Sequence, residues 1–257
     1  TGDRESSWSA EDVAARMDFA LRSAYSHGTR AIRTHLDSRA PQGAISFPVF
    51  REMRDAWKGR IDLQASCLVP IDGVTTDGEF LETAQLVVES GAVLGAVTYP
   101  APDLRERLYA FFEVANRFEL DADFHVDETD DPTSDTLETI AEVVAEIGFE
   151  RPVTVGHCCS LSVMEDADAA RIIEKVATAG LNVVSLPMCN MYLQDRYTPR
   201  TPRWRGVTMV HELKAAGVNV SFASDNTRDP FYAYGDLDMV EVMREATRIA
   251  HLDHCET

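Results

Sequence analysis

Positive charge is scarce in this chain: 24 Lys and Arg stand against 43 Asp and Glu over 257 residues, a formal net charge of −19. Binding to a nucleic-acid phosphate backbone rests on clustered basic residues, so that class of partner is excluded. Cysteine is sparse and irregular: the five cysteines, Cys67, Cys158, Cys159, Cys189 and Cys255, form no Cys-x-x-Cys pair. An odd, unevenly spaced set does not read as a disulfide framework, and a reducing cytoplasm is the expected location. No apolar run approaches the roughly 20 residues a membrane-spanning helix needs. The opening Thr1-Gly2-Asp3-Arg4-Glu5 is too polar for a signal peptide. Neither a membrane nor a nucleic acid is expected as partner, and a homo-oligomer is left open.

No Pro/Gly/Ser-rich linker interrupts the chain, and 45% apolar residues can fill a substantial core. One domain over 1–257 is expected. Short apolar segments alternate with longer ones of helical period, the order of a parallel α/β sheet. Strands are expected at Arg30–His35, Ile61–Leu68, Val93–Thr98, Asp121–Val126, Pro152–His157, Asn182–Leu186 and Val218–Ala223. Helices are expected at Ser9–His27, Pro48–Trp57, Asp77–Ser90, Leu104–Phe118, Ser134–Ile147, Ser162–Ala179, Val207–Ala216 and Leu237–Ala250. Ser9 has Asp12 three residues on, a capping-box arrangement. Gly91, Gly148, Gly180 and Gly217 fall where left-handed residues close helices. The corner Ala179-Gly180-Leu181-Asn182-Val183 recurs as Ala216-Gly217-Val218-Asn219-Val220. Seven strands suit an open doubly wound sheet, or an eight-stranded barrel lacking one strand.

Titratable groups gather where strands end. Phe124-His125-Val126-Asp127-Glu128-Thr129-Asp130-Asp131 closes one apolar run, Val153-Thr154-Val155-Gly156-His157 ends on a histidine, and Val218 to Asp225 ends on an aspartate. In a β/α barrel all such ends meet on one face, so His35, His125, His157 and Asp225 could converge there. Taken singly, each could instead cap a helix or bond a loop amide.

Those segments, with Ile32-Arg33-Thr34-His35-Leu36-Asp37, Asn190-Met191-Tyr192-Leu193-Gln194-Asp195-Arg196 and Ala223 to Tyr232, resemble cytosine deaminase and related members of the amidohydrolase superfamily over essentially the whole chain. The resemblance implies an incomplete α/β TIM (β/α)8-type barrel, with strands two to eight present here. It implies one divalent metal ion, Zn²⁺ or Fe²⁺, with His125 and Asp225 as ligands. Glu128 falls at the family's proton shuttle, His157 at the histidine facing water and substrate, Asn226 at a frequent substrate-contacting carboxylate, and Phe231 at an aromatic that lines the pocket. The catalytic set it implies is therefore Glu128, His157 and Asp225. A divalent ion lowers the pKa of bound water toward about 7, giving hydroxide that attacks an amine-bearing ring carbon while a carboxyl moves protons to ring nitrogen and departing ammonia.

The family's His-x-His pair is absent from these residues. An internal piece of a longer polypeptide, without the first strand and a C-terminal β-region, is expected. Ile71, in Cys67-Leu68-Val69-Pro70-Ile71-Asp72-Gly73, falls where cytosine deaminases place a glutamine on the pyrimidine edge. Its side chain offers no hydrogen bond, so the expected substrate is a related aminated N-heterocycle: a modified pyrimidine, a triazine, a purine or a pterin. The alternatives are a binding barrel that has lost its metal, or an amidohydrolase acting on a substituted amine or cyclic amide.

Other residues read as structural. Cys158 and Cys159 are expected to pack on opposite faces, His27 to end a helix, His211 to lie on a helix surface, and His251 and His254 to mark a solvated helix end. Tyr109-Ala110-Phe111-Phe112 reads as a core-facing stripe. The basic run from Arg196 to Arg205 reads as a loop at the mouth of the site. His35 and Asp37 are expected to orient other groups by hydrogen bonding.

Overall fold

A computed structural model of the chain describes residues 8–253. Its elements follow in the order α1 (Ala10–Ser26), β1 (Ala31–Asp37), α2 (Gln42–Trp57), β2 (Asp62–Pro70), α3 (Gly78–Ser90), β3 (Leu94–Val97), α4 (Leu104–Arg117) and β4 (Ala122–Val126). Then come α5 (Thr136–Ile147), β5 (Val153–His157), α6 (Asp166–Thr178), β6 (Asn182–Ser185), α7 (Pro187–Leu193), α8 (Val210–Ala215), β7 (Asn219–Phe222) and α9 (Met239–Ala250). Single 3-10 turns follow β2 at Ile71–Gly73 and β5 at Cys159–Val163. All seven expected strands are found, and the strand order follows the chain. Sequential parallel order distinguishes a β/α barrel from the doubly wound alternative, so the fold is an incomplete TIM-type α/β barrel. No helix of the described residues is long and apolar enough to cross a membrane.

Two compact units are resolved by their internal contacts. The first runs to Val97 and takes in Glu106–Asp123. There β1 pairs with β2 from Ala31↔Asp62 to Asp37↔Leu68, and β2 with β3 at Val69↔Ala96. Its core is aromatic: Phe47, Phe50, Phe80, Phe111 and Phe112 are fully buried, and Phe80 and Phe111 stack 5.9 Å apart. Phe111 and Phe112 thus form the expected core stripe, while Tyr109 is exposed. Ser9 and Asp12 make the capping box: Asp12 N donates to Ser9 Oγ at 3.1 Å and Ser9 N returns a bond to Asp12 Oδ2 at 3.1 Å. Gly95 is required by close approach, since a Cβ there would meet the carbonyls of Cys67 and Asp123 and the hydroxyl of Ser66.

The second unit comprises Thr98–Arg105 and the chain from Phe124 onward. There β5 pairs with β6 at Thr154↔Asn182 and β6 with β7 at Asn182↔Asn219 and Val183↔Val220. The repeated corner therefore lies in register with itself. Asn219 Nδ2 donates to Asn182 Oδ1 at 3.0 Å, and Asn182 Nδ2 donates to the Val153 carbonyl at 3.1 Å, a side-chain ladder across three strands. Gly180 and Gly217 turn each corner at φ 67° and 84°, cheap only for glycine. Phe124, Leu137, Ile140, Val155 and Val176 form the core.

Three local expectations are corrected. Helix α2 begins at Gln42, not Pro48, which lies inside it, because Gln42, Gly43, Ser46 and Phe47 already lie on the buried face that Val49 and Phe50 continue past the proline. Ser162 belongs to a 3-10 turn, and α6 begins only at Asp166, after the extended Glu165. His211 is half-buried in α8, its Nε2 2.5 Å from the Ala250 carbonyl at the end of α9, rather than on a free surface. His27 ends α1 and exposed His251 ends α9, as expected, while His254 and Cys255 lie outside the described residues.

Candidate active site

Strand β4 leads into the segment that carries most of the chemistry. His125 is half-buried near its end, and the chain then enters the left-handed region at Asp127, φ 49°. Asp127 is 3% exposed and accepts hydrogen bonds from Ser134 Oγ at 2.7 Å, Leu137 N at 3.1 Å and Thr136 Oγ1. Its carbonyl accepts from Cys159 N and Ser160 N at 3.0 and 3.2 Å. A carboxylate is favoured at the first turn of a helix, and here it comes from outside α5, whose own N-cap Asp135 makes no side-chain cap. Asp127 thereby ties the loop bearing Glu128 to α5 and to the turn after β5.

His157 closes β5 at φ 71°, 2% exposed, with its ring centroid 5.1 Å from that of His125. Its Nδ1 lies 3.0 Å from Asn190 Nδ2 and 3.6 Å from Glu128 Oε1. Asn190 Nδ2 also donates to Glu128 Oε1 at 3.2 Å. Burial raises the Glu128 pKa above its ordinary value, nearby Asp225 pushes the same way, and His157 and the amides of Gln194 and Asn190 oppose them.

Asp225 follows β7 at φ 60°, a third left-handed residue at a strand end. Side chains other than glycine pay for that conformation, and such outliers gather at functional sites. His157 Nε2 and Asp225 Oδ2 are buried without a hydrogen-bond partner, a costly state for polar atoms that a bound ion, water or ligand relieves. Neutral imidazole and carboxylate suit a divalent cation. Among the described residues, however, no group of three or more His, Cys, Asp or Glu stands together as a metal cage.

The residues around Asp225 are ordered by Asp229. It accepts from Asn226 Nδ2 at 2.6 Å and from the Phe231 and Tyr232 amides at 2.9 Å each. Phe231 itself is 45% exposed. Cys189, buried in α7, points its Sγ to Asn226 Oδ1 at 3.7 Å. Cys158 and Cys159 are both buried and unbridged, packed where the chain turns after β5 rather than alternating along a strand. The basic segment after α7 folds back on itself, with Asp195 accepting from Trp204 N at 3.0 Å and Arg196 lying over Tyr192.

The structure thus gathers Glu128, His157, Asp225 and His125 within the second unit, with Asn226 and Phe231 in the segment after β7. Ile71 and His35 lie in the first unit. Ile71 is 1% exposed in the turn after β2. His35 Nε2 stands 3.2 Å from Asp123 Oδ1, and Arg33 Nη1 donates to Asp123 Oδ2 at 2.9 Å. Asp127 and Asn190 lie within the segments read from sequence, yet nothing in the pattern marked their roles. Asp127 resembled one more loop carboxylate, and α7 is too short for a helical period to reveal.

Sequentially ordered parallel strands that carry imidazole and carboxylate groups at or just beyond their C-terminal ends define an incomplete β/α barrel of the TIM type. The chain belongs to the amidohydrolase family, whose model matches residues 9–257. It is 58% identical over 252 residues to pterin deaminase of Rhizobium rhizogenes (strain K84), covering 98% of this chain and 58% of that protein. It is 26% identical over 218 residues to N-isopropylammelide isopropyl amidohydrolase of Pseudomonas sp. (strain ADP), covering 84% of this chain and 50% of that protein. Among solved structures, 5-methylcytosine deaminase from Klebsiella pneumoniae liganded with phosphonocytosine matches with a TM-score of 0.87 at 28% identity, over 98% of this chain and 62% of that one. The chain thus spans 50–62% of the length of these relatives.

Proposed function

We propose that the polypeptide carrying this chain is a metal-dependent hydrolytic deaminase of an aminated N-heterocycle, with a pterin as the favoured substrate. The observation that carries this reading is that Glu128 lies 3.6 Å from His157 and close enough to Asp225 to feel its charge, while His157 Nε2 and Asp225 Oδ2 are buried without partners. The 58% identity to a pterin deaminase supports the choice of ring. Ile71, apolar at the position where cytosine deaminases place a glutamine, supports a substrate other than cytosine, because a pyrimidine edge left unpaired costs about 1–3 kcal/mol per polar group.

Replacement of a ring amine by oxygen breaks a C–N bond, forms a C–O bond with water, and needs a proton at the ring nitrogen and another on the leaving ammonia. Glu128 is the group for both transfers: its raised pKa lets the carboxyl hold a proton at higher pH than a free glutamate, and release it where basicity develops. His157 presents Nε2 toward the reacting centre and steadies charge that grows there. Asp225 accepts a proton from water through its unpartnered Oδ2. His125 and Asp225 would hold the divalent ion, Zn²⁺ or Fe²⁺, which supplies Lewis acidity that lowers the pKa of water toward about 7. Asn226 and Phe231, ordered by Asp229, would contact the substrate.

Ammonia release tests the reading. The metal-supplemented polypeptide is assayed against a pterin, cytosine, 5-methylcytosine and an N-alkylated aminotriazine. The pterin should have the highest kcat/KM. Cytosine as the best substrate would overturn the choice of ring, and no ammonia from any amine would favour a barrel that only binds.

A further inference from the structure

We infer that Asn190 is a positioning residue that fixes the tautomer of His157, so that His157 presents an Nε2–H donor, not a lone pair, to the reacting centre. One amide nitrogen faces two groups: Asn190 Nδ2 lies 3.2 Å from Glu128 Oε1 and 3.0 Å from His157 Nδ1. The orientation of that amide follows from Glu128. While Glu128 is ionised, an amide turned the other way would set its oxygen against a carboxylate oxygen, acceptor against acceptor, whereas Nδ2 carries two hydrogens and can serve both neighbours.

With Nδ2 facing the ring, a hydrogen on His157 Nδ1 would set two donors against each other at 3.0 Å. A direct bond from Nδ1–H to Glu128 is no substitute, because 3.6 Å is too long. His157 Nδ1 is therefore the acceptor, and in a neutral imidazole the proton resides on Nε2. That nitrogen is the one buried without a partner. The ring cannot adjust by moving into solvent, since His157 is 2% exposed and Asn190 1% exposed.

Two consequences follow. An Nε2 that carries hydrogen has no lone pair for a cation, so His157 would not be a ligand of the ion that His125 and Asp225 would hold, and would donate to oxygen or to a ring acceptor. Second, a single side chain on α7 sets the relation between the proton-carrying group after β4 and the donor that ends β5. α7 itself begins at Pro187, one residue past the end of β6 with Leu186 between, so Asn190 is delivered one turn into the helix.

This inference rests on the role proposed for His157, but it is tested without turnover. Long-range ¹H–¹⁵N correlation spectra of the histidine-labelled chain at neutral pH, with His157→Gln to assign the signal, read the protonation of each ring nitrogen. We expect an unprotonated Nδ1 and a protonated Nε2. A protonated Nδ1 would overturn the inference. In Asn190→Ala, with unchanged circular dichroism, the His157 signals should shift to a mixture of tautomers; an unchanged pattern would overturn it too. Asn190→Asp, nearly the same shape but an acceptor, should move the proton to Nδ1. In the active polypeptide, Asn190→Ala should lower kcat at least tenfold with KM within about twofold, whereas a merely structural role would lower thermal stability and leave the spectrum alone. Should the wild-type chain show the Nε2–H form but release no ammonia from any amine, the proposed function fails while this inference stands.

Discussion

Asp123 and Asp225 are both partly or wholly buried aspartates on or beside strands, but their surroundings differ in kind. In the first unit, Asp123 has one oxygen matched by Arg33 at 2.9 Å and the other by His35 at 3.2 Å. In the second, Oδ2 of Asp225 is buried with no hydrogen bond, and Nε2 of His157 is in the same state. The first cluster has its bonds made and stabilises the unit. The second leaves donors and acceptors for something else, as expected of a site that binds and reacts. Whether polar atoms are already paired separates the two more sharply than residue type does.

The largest way to sharpen the contrast is at Glu128. Glu128→Gln keeps the bond from Asn190 but cannot carry the proton, and turnover should fall at least about a hundredfold with little change in melting temperature. Near-normal turnover would remove Glu128 from the mechanism. Next, Asp225→Asn should weaken Zn²⁺ binding by about tenfold or more in titration calorimetry, while Asp123→Asn should leave it unchanged. Equal effects would erase the distinction.

The reverse applies to stability. Asp123→Ala removes the partner of Arg33 Nη1, whose Nε keeps its bond to Gln64, and should cost about 2 kcal/mol in urea unfolding, in keeping with bonds to charged groups. Asp225→Ala should cost less, and a larger loss there would contradict the reading of Asp225 as a group whose Oδ2 is left without a structural bond. The smallest effect concerns the exposed pairs between α5 and α6. Lys175 donates to Glu142 at 2.6 Å and holds its carboxyl below the ordinary 4.5, with Arg105 assisting. A lowered folded-state pKa adds stability above about pH 4.5 that is lost as pH falls through the lower value. Lys175→Met should flatten that part of the acid-unfolding curve slightly, as exposed pairs contribute little. The site cluster should not respond to that substitution.

Much of this was legible in sequence. Strands such as Val153–His157 announce themselves by apolar residues over a short span, and the repeat at Asn182 and Asn219 marks one helix-to-strand corner used twice, which the structure places in register. His125, Glu128, His157 and Asp225 stood out as titratable groups at strand ends, and the structure places them in one unit. Helix α2 was misjudged because proline usually starts helices, whereas Pro48 sits inside one. Asn190 escaped because its importance lies in two contacts across 62 and 33 residues of sequence, and no local pattern encodes those. Asp127 escaped for the same reason: only folding shows which carboxylate caps α5 and which is left to react.

The left-handed turns at Asp127, His157 and Asp225 carry an implication for how this protein can change. Each is a place where glycine would relieve the backbone by roughly 1 kcal/mol or more. Selection for robustness alone would therefore drift toward glycine at Asp225, whose Oδ2 is buried without a hydrogen bond in the fold, and would produce a sturdier barrel with a silent site. An aspartate that persists there in functioning copies is held by what it does.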